Sequence, residues 1–283
     1  MAKPRCLGIC LFYNDDDIVE DAITHLLENN HEVVVWDHGS NDRTAEMIGK
    51  FAPYIRERHF LPRSFDFNKI FEHVSRHVID NYASEYDWIS FPESDEFLEG
   101  PDRKKSYYAH VCDVVESPFD WVQFNNIVFW FTDEDRPEEL SPRKRIRHYS
   151  IWKDCQPRVY AWRASHMNIR VFNTNAIPGA KYPINFNTCH YQVRSEAHML
   201  KRIQSRVGLS RGLANFHFDY MARNVRSQYI KASDLNRDDG IHELSLEQTF
   251  DWRKYVYGTY ARLLEQLQEQ GSAPSTPVIG MPE

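Results

Sequence analysis

The chain has 283 residues, of which 42% are hydrophobic and 27% charged. This balance excludes global disorder and suits either one large α/β domain or one domain with an appendage. A net charge of −7 disfavours binding to nucleic acid, whose protein partners are normally basic. Five cysteines without a C-x-x-C pair favour a reducing compartment, and neither a signal peptide nor a membrane-spanning run is visible. We therefore expect a cytoplasmic protein and leave peripheral contact with a membrane open.

Strand and helix patterns alternate in the first hundred residues. Short apolar runs predict strands at residues 6–12, 31–36, 54–58 and 86–91. Apolar residues at helical spacing predict a helix opened by residues 15–17, a second over 44–51 and a third over 67–78. This alternation predicts a parallel sheet with right-handed crossovers.

The alternation becomes less regular after residue 100. We predict a helix over 102–116, a long strand over 121–131, a surface loop or lid over 132–148, and short strands within 149–193. Later helices are predicted over 195–207 and 244–268. The resulting division is an α/β domain over 1–210, a C-terminal helical extension over 211–270 and a disordered tail over 271–283.

Polar clusters follow three of the predicted strands. They occupy residues 13–17, 37–42 and 93–96, and all three contain carboxylates. In open parallel α/β sheets, ligands bind beyond the carboxyl ends of the strands. We therefore expect the three clusters to meet in one crevice.

The last cluster, Glu93-Ser94-Asp95-Glu96, is the strongest candidate for a metal site. Glu93 and Asp95 point to the same side if the segment is extended. Clustered carboxylates repel one another unless a cation lies between them, and Mg²⁺ or Mn²⁺ prefers oxygen ligands. The alternative is an acidic turn exposed to solvent.

Longer motifs give the chain a resemblance to a known family. Tyr13-Asn14-Asp15-Asp16 follows the first strand, and residues 37–44 match the pattern D-x-G-S-x-D-x-T. Residues 93–96 correspond to a D-A-D-E motif with Glu in the first position, and His190-Tyr191 precedes Arg194 and a predicted helix. In these features the chain resembles the GT-A-fold glycosyltransferases of family 2 and their relatives with a D-A-D-E motif. The resemblance covers residues 5–100 well and 155–207 loosely, and it implies a mainly parallel central sheet flanked by helices.

The resemblance also implies an activity and a set of site residues. The activity is transfer of a sugar from a UDP, GDP or dTDP donor to a glycan, a lipid-linked molecule or another acceptor, with inversion and a divalent metal. The implied nucleotide-sugar contacts are Tyr13, Asn14, Asp37, Ser40, Asp42, Arg63, Asp66, Ser94 and Arg194. The implied ligands of Mn²⁺ or Mg²⁺ are Glu93, Asp95 and His190. For Asp66 the alternative is an N-cap role. For His190 the alternatives are a contact with the diphosphate and a hydrogen bond to a backbone carbonyl.

An inverting reaction also needs a carboxylate that accepts the proton of the acceptor hydroxyl. Asp133, Glu134 and Asp135 are the candidates, because they follow the long predicted strand at the start of the lid; ordinary loop acidity is the alternative. The basic run at residues 143–147 is either a solvated loop or a grip on a diphosphate or an anionic acceptor.

Two other functions stay open. A nucleotidyltransferase also combines an α/β sheet with acidic metal ligands, but that class usually opens with a Gly-rich loop, whereas this chain has Asn14 and three aspartates there. A non-catalytic nucleotide- or glycan-binding relative is the other alternative, because Glu replaces the first Asp of the motif at position 93. The absence of G-x-G-x-x-G and G-x-S-x-G motifs disfavours a Rossmann dehydrogenase and a serine hydrolase.

Overall fold

The computed structural model describes residues 3–63, 67–132, 134–135, 141–151, 158–167, 177–195, 198 and 231–247. The first half contains β1 (Cys6–Phe12), α1 (Val19–Glu28), β2 (His31–Asp37), α2 (Thr44–Lys50), β3 (Glu57–Phe60), α3 (Phe67–Asn81), β4 (Trp88–Ser90) and β5 (Glu96–Glu99). The second half contains α4 (Tyr107–Val115), β6 (Trp121–Trp130), α5 (Pro142–Arg145), β7 (His148–Ile151), β8 (Arg158–Arg163), β9 (Phe186–Val193) and β10 (Asn236–Arg237).

The strands form one mixed sheet in the order β10-β7-β6-β8-β4-β1-β2-β3, with β9 pairing β5 and β6. β1 is parallel to both β2 and β4, and β2 is parallel to β3, which confirms the parallel arrangement expected for the first hundred residues. β8 then joins β4 in the antiparallel direction. The mixed α/β architecture with helices on the sheet is therefore confirmed.

Helices cover both faces of the parallel half. Val19, Ile23 and Leu26 of α1 belong to one buried cluster with Val33 and Val35 of β2. On the opposite face, side chains of α3 pack with the alternate β2 residues, in a cluster that includes Val34, Trp36, Val74 and Val78. Because β2 is buried on both faces, its sequence is a continuous apolar run rather than an alternating one.

Several predicted boundaries were wrong. β3 begins at Glu57 rather than at residue 54, because Tyr54 and Ile55 still donate backbone hydrogen bonds to the carbonyl of Phe51. Helix α4 begins after Ser106, whose hydroxyl accepts the Ala109 N–H at 3.2 Å, and not at residue 102. Strand β5 was not predicted, and the predicted lid contains the short helix α5.

The C-terminal part of the described chain packs on this domain. β10 pairs with β7, and Asp238 accepts a 2.6 Å hydrogen bond from Arg103. Leu244 to Glu247 are not helical, so the predicted helix over 244–268 does not begin at Leu244. Most of that helix, most of the predicted helix over 195–207 and the predicted tail lie outside the described residues. No helix within the described ranges has the length and apolar character needed to cross a bilayer.

Candidate active site

The order of the sheet reverses between β1 and β4. From β1 the chain adds β2 and β3 on one side and then returns to place β4 on the other side. This reversal is the topological switch point, and ligands of open α/β sheets bind in the crevice that it leaves at the carboxyl ends of the strands. The first polar cluster follows β1 and the third follows β4, so they flank the crevice.

The turn after β1 is tied to the loop after β2. Asn14 has a φ of +56°, a left-handed conformation that Asn tolerates better than most residues. Its N–H donates to Ser40 Oγ at 3.0 Å, and its own side-chain oxygen accepts the Asn41 N–H at 2.9 Å. The Asp15 N–H donates to Thr44 Oγ1 at 2.8 Å. Asn14, Ser40 and Thr44 therefore hold the two segments together.

The aspartates of the β2 loop also bond within it. Asp37 is buried, accepts the Ser40 N–H at 3.0 Å and lies 3.9 Å from the guanidinium of Arg58. Asp42 accepts the Thr44 N–H at 2.9 Å, where α2 begins. Both carboxylates therefore have structural partners besides any ligand.

Close packing fixes one side of this loop. Gly39 has a φ of +69°, and a Cβ added there would lie 2.9 Å from the backbone nitrogen of Arg63. The Arg63 guanidinium lies over the Tyr13 ring, 5.0 Å from its centroid. The loops after β1, β2 and β3 thus meet, and this places the predicted nucleotide contacts Tyr13 and Arg63 side by side.

Gly39→Ala should therefore destabilise the protein by about 1–2 kcal/mol, because alanine is strained at positive φ and its methyl group would press on the Arg63 backbone. Gly49→Ala is the matched control. Gly49 lies in α2, where an added methyl group would meet open space, so alanine should stabilise by about 0.5–1 kcal/mol. Urea unfolding measures both, and equal changes in the two variants would contradict the interpretation of the Gly39 loop.

The turn after β4 contacts the turn after β1. Ser94 Oγ donates to Asp15 Oδ2 at 2.8 Å, so the two turns meet directly across the switch point. Asp95 is buried, and its backbone carbonyl accepts the Tyr191 N–H at 2.8 Å. Glu96 is also buried: it accepts a hydrogen bond from the Tyr160 hydroxyl and, at 3.1 Å, one from the Glu93 N–H. The expected convergence of the first and third clusters is thus present.

Arg194 lies among these carboxylates. Its side chain is 1% exposed, and it donates to both oxygens of Asp17 at 2.8 Å and to Asp15 Oδ1 at 2.9 Å. Its Nη1 lies 3.8 Å from Asp95 Oδ2. Arg194 was predicted to contact the nucleotide sugar. In the structure its guanidinium lies beside three carboxylates of the chain itself.

The pKa values of the paired aspartates reflect this arrangement. Burial raises the pKa of Asp15, and Arg194 only partly offsets that effect, so the value lies above the ordinary one. For Asp17 burial also raises the pKa, but the attraction and hydrogen bonds of Arg194 outweigh it, so the value lies below the ordinary one.

His190 and Asp95 come together, while Glu93 faces another partner. His190 Nε2 lies 3.5 Å from Asp95 Oδ1, and its Nδ1 lies 3.8 Å from Glu96 Oε1. Burial lowers the pKa of His190, but these carboxylates more than offset the effect and raise it above the ordinary value. Glu93 lies 3.7 Å from Arg158 Nη1. Within the described ranges, the predicted ligands Glu93, Asp95 and His190 do not form a set with all ligand atoms within 4.8 Å.

The charge balance of this region fits a divalent cation. Arg194 and Arg158 are outnumbered by the carboxylates around them, which belong to Asp15, Asp17, Glu93, Asp95 and Glu96. Excess negative charge raises the pKa of a histidine among the carboxylates, as it does for His190. Carboxylate oxygens are ordinary ligands of both Mn²⁺ and Mg²⁺. An imidazole nitrogen is also an ordinary ligand of Mn²⁺.

The candidate bases have different surroundings. Asp135 Oδ2 accepts hydrogen bonds from the Thr132 N–H at 2.7 Å and the Thr132 hydroxyl at 3.0 Å, and burial raises its pKa. Glu134 is exposed and lies 3.7 Å from His148 Nε2. Asp133 and the predicted nucleotide contact Asp66 lie outside the described residues.

The basic run at residues 143–147 is bound to the domain. Arg143 lies over the Phe97 ring at 4.9 Å, Arg145 donates to the carbonyl of Arg194, and Arg147 lies 3.7 Å from Asp238. These residues therefore do not form a fully solvated loop.

Sequence reasoning expected residues 13–17 at the crevice, but it did not name Asp15, Asp17 or Arg158 individually as site residues. The run of aspartates after β1 was interpreted as the acidic first turn of a helix, but α1 begins at Val19. Three successive aspartates at the end of a buried strand were the available signal.

Comparison with known proteins gives structural matches only. No family model and no curated protein sequence matches the chain. Its fold is similar to that of mannosyltransferase PcManGT from Pyrobaculum calidifontis, solved with GDP-Man and Mn²⁺. The two chains are 13% identical in sequence, the TM-score is 0.39, and the match covers 97% of this chain and 78% of that one. It is also similar to residues 1–349 of S. aureus TarS, solved with UDP: 12% identity, TM-score 0.37, 81% and 76% coverage. A third match is mannosyltransferase Ktr4p from S. cerevisiae, with 13% identity, TM-score 0.25, and 48% and 41% coverage.

Proposed function

We propose that the chain is a glycosyltransferase that moves a sugar from a UDP, GDP or dTDP donor to a glycan, a lipid-linked molecule or another acceptor, with the help of a divalent metal. The observation that carries the proposal is the meeting of two acidic turns at the switch point of the sheet, where Ser94 bonds to Asp15 and Asp95 lies beside Arg194. This is the place at which an open α/β sheet binds a nucleotide.

The proposed donor site divides between the two sides of the crevice. The loop after β2, with Asp37, Ser40 and Asp42, contacts the base or ribose, together with Tyr13 and Asn14. Arg63 lies next to that loop and offers a cation to a phosphate.

The diphosphate then lies towards Ser94 and the acidic turn after β4. Asp95 and His190 would hold Mn²⁺ or Mg²⁺, with Glu93 as a further candidate ligand. When bound, the metal neutralises the negative charge that develops on the departing nucleoside diphosphate.

Transfer with inversion is one displacement at the anomeric carbon. The acceptor oxygen forms a bond to that carbon as the bond to the diphosphate oxygen breaks, and a carboxylate accepts the proton of the acceptor hydroxyl. Asp133, Glu134 and Asp135 are the proposed candidates. Of the two that are described, Glu134 is exposed, whereas Asp135 Oδ2 already accepts two hydrogen bonds from Thr132.

A donor screen tests the proposal. The full chain is incubated with UDP-, GDP- and dTDP-sugars, with Mn²⁺, with Mg²⁺ or with EDTA, and released nucleoside diphosphate is quantified by chromatography. We expect slow hydrolysis of one donor class that EDTA abolishes and a divalent ion restores. Pyrophosphate release from nucleoside triphosphates, without hydrolysis of any sugar donor, would contradict the proposal and indicate a nucleotidyltransferase.

The position of Arg194 favours a second candidate, a non-catalytic nucleotide- or glycan-binding protein. A guanidinium among Asp15, Asp17 and Asp95 already supplies part of the positive charge that a metal would bring. Under this alternative, a nucleotide sugar raises the melting temperature equally with and without EDTA, and no donor is hydrolysed even with acceptors present.

A further inference from the structure

A second group of potential metal ligands lies on the other face of the sheet. Glu57 and His59 are two residues apart on β3, so their side chains point to the same face, and His77 reaches them from α3. Among the described residues, this is the set of three in which all the potential ligand atoms lie within 4.8 Å of one another.

The two imidazole rings are held by the hydrophobic core. The His59 ring stacks on the fully buried Trp36 at 4.5 Å, and the His77 ring meets Trp36 edge-on at 5.5 Å. The two imidazole rings are 4.8 Å apart. Rings fixed in this way lose little side-chain entropy when they bind a ligand.

The carboxylate is also oriented, and one histidine nitrogen has no hydrogen-bond partner among the described residues. The Tyr82 hydroxyl donates to Glu57 Oε2 at 2.6 Å, the kind of outer contact that orients metal ligands. This nitrogen, His59 Nε2, lies 3.2 Å from the same oxygen and is inaccessible to solvent, without meeting the geometry of a hydrogen bond. A buried polar nitrogen without a hydrogen bond calls for an explanation, and a cation between it and the carboxylate supplies one.

We propose that Glu57, His59 and His77 bind a divalent ion of the zinc class, separate from the candidate active site. Two imidazoles and one carboxylate are a common ligand set for Zn²⁺, whereas Mg²⁺ and Ca²⁺ prefer oxygen ligands alone. The group lies on the face of β2 that carries Trp36, and the adjacent Asp37 points to the opposite face. The two sites therefore differ both in position and in metal preference.

Such an ion would link strand β3 to helix α3, which the hydrogen bonds of the sheet do not link. β3 is the last strand in the sheet order, and its outer edge has no strand partner in the described part of the chain. An ion bound to His59 and His77 would fix β3 to α3. The site should therefore raise stability.

Zinc titration of the full chain tests the proposal. After removal of metals with a chelator, wild type and a His59→Asn/His77→Asn variant are titrated with Zn²⁺ by calorimetry and melted with and without Zn²⁺. We expect the variant to lose one equivalent of bound zinc, or to bind it at least about 100-fold more weakly, and to lose the zinc-dependent rise in Tm. His242→Asn is the matched control, because His242 is exposed and pairs with Asp239 outside the proposed site.

Two further variants keep the outcome decisive. Glu57→Gln removes one ligand without changing the histidine packing, so it replaces the double variant if that one does not fold. Asp95→Asn removes zinc that binds at the candidate active site instead. The proposal is overturned if the histidine variant or Glu57→Gln still binds the same number of zinc ions and still shows the zinc-dependent rise in Tm. It is also overturned if one equivalent of bound zinc is lost in Asp95→Asn but in neither of the other variants.

Discussion

Asp95→Asn should lower the turnover of the nucleotide-sugar donor by about 100- to 1000-fold. Asp95 lies at the switch point beside His190 and Arg194, and as the main proposed metal ligand it brings the ion to the leaving diphosphate. Asparagine keeps the size of the side chain but loses the charge that attracts the ion. Steady-state release of nucleoside diphosphate over a range of Mn²⁺ concentrations measures the effect.

Two variants serve as comparisons for Asp95→Asn. Asp113→Asn changes an exposed aspartate that pairs with Lys105 and should leave turnover unchanged. Glu93→Gln should cost less than about tenfold, because the Glu93 carboxylate already lies 3.7 Å from Arg158, whereas Asp95 is the carboxylate 3.5 Å from His190. Full activity and unchanged metal dependence in Asp95→Asn would remove Asp95 from the proposed metal site.

Arg194→Ala should destabilise the protein by about 3–5 kcal/mol, a decrease in Tm on the order of 10 °C. The guanidinium is buried and is the hydrogen-bonded counter-ion of Asp15 and Asp17, so its removal leaves two carboxylates without compensation. Thermal and urea unfolding measure the loss. Arg43→Ala, which breaks an exposed pair with Glu46, is the matched control and should change the Tm little.

The loss in Arg194→Ala should depend on pH and on Asp17. In wild type the lowered pKa of Asp17 contributes stability above the ordinary carboxyl pKa of about 3.9, and this contribution disappears as the pH falls through the folded-state value. In the variant the unpaired carboxyls take up protons as the pH falls, which relieves their burial. The stability gap should therefore shrink from pH 7 towards pH 4, and adding Asp17→Asn should recover part of it. A gap that is independent of pH would mean that Arg194 stabilises by packing alone.

Much of the N-terminal half was predictable because local patterns and tertiary contacts agree there. The apolar runs of β1 and β2 are buried on both faces, and the apolar stripes of α1 and α3 pack against them. The order of strands and helices then predicts the parallel sheet and the crevice at its carboxyl ends. For this reason the meeting of Asp15 with the Ser94–Asp95 turn followed from the sequence.

The remaining features depend on contacts between distant parts of the chain. Arg194 is separated by more than 170 residues from Asp15 and Asp17, so no local pattern identifies them as partners. β5 becomes a strand through its pairing with β9, although its own sequence is short and acidic. The Glu57–His59–His77 group depends on how α3 packs over β3, which helical periodicity does not determine.

A crystal structure of the full chain soaked with Mn²⁺ and a UDP or GDP sugar, with anomalous data collected for manganese, would test the metal and nucleotide assignments together. We expect a manganese peak beside Asp95 and a diphosphate between the turns after β1 and β4, with the base near the loop of residues 37–42. A nucleotide bound elsewhere, or one bound in this crevice with no manganese at Asp95, would contradict the proposed site.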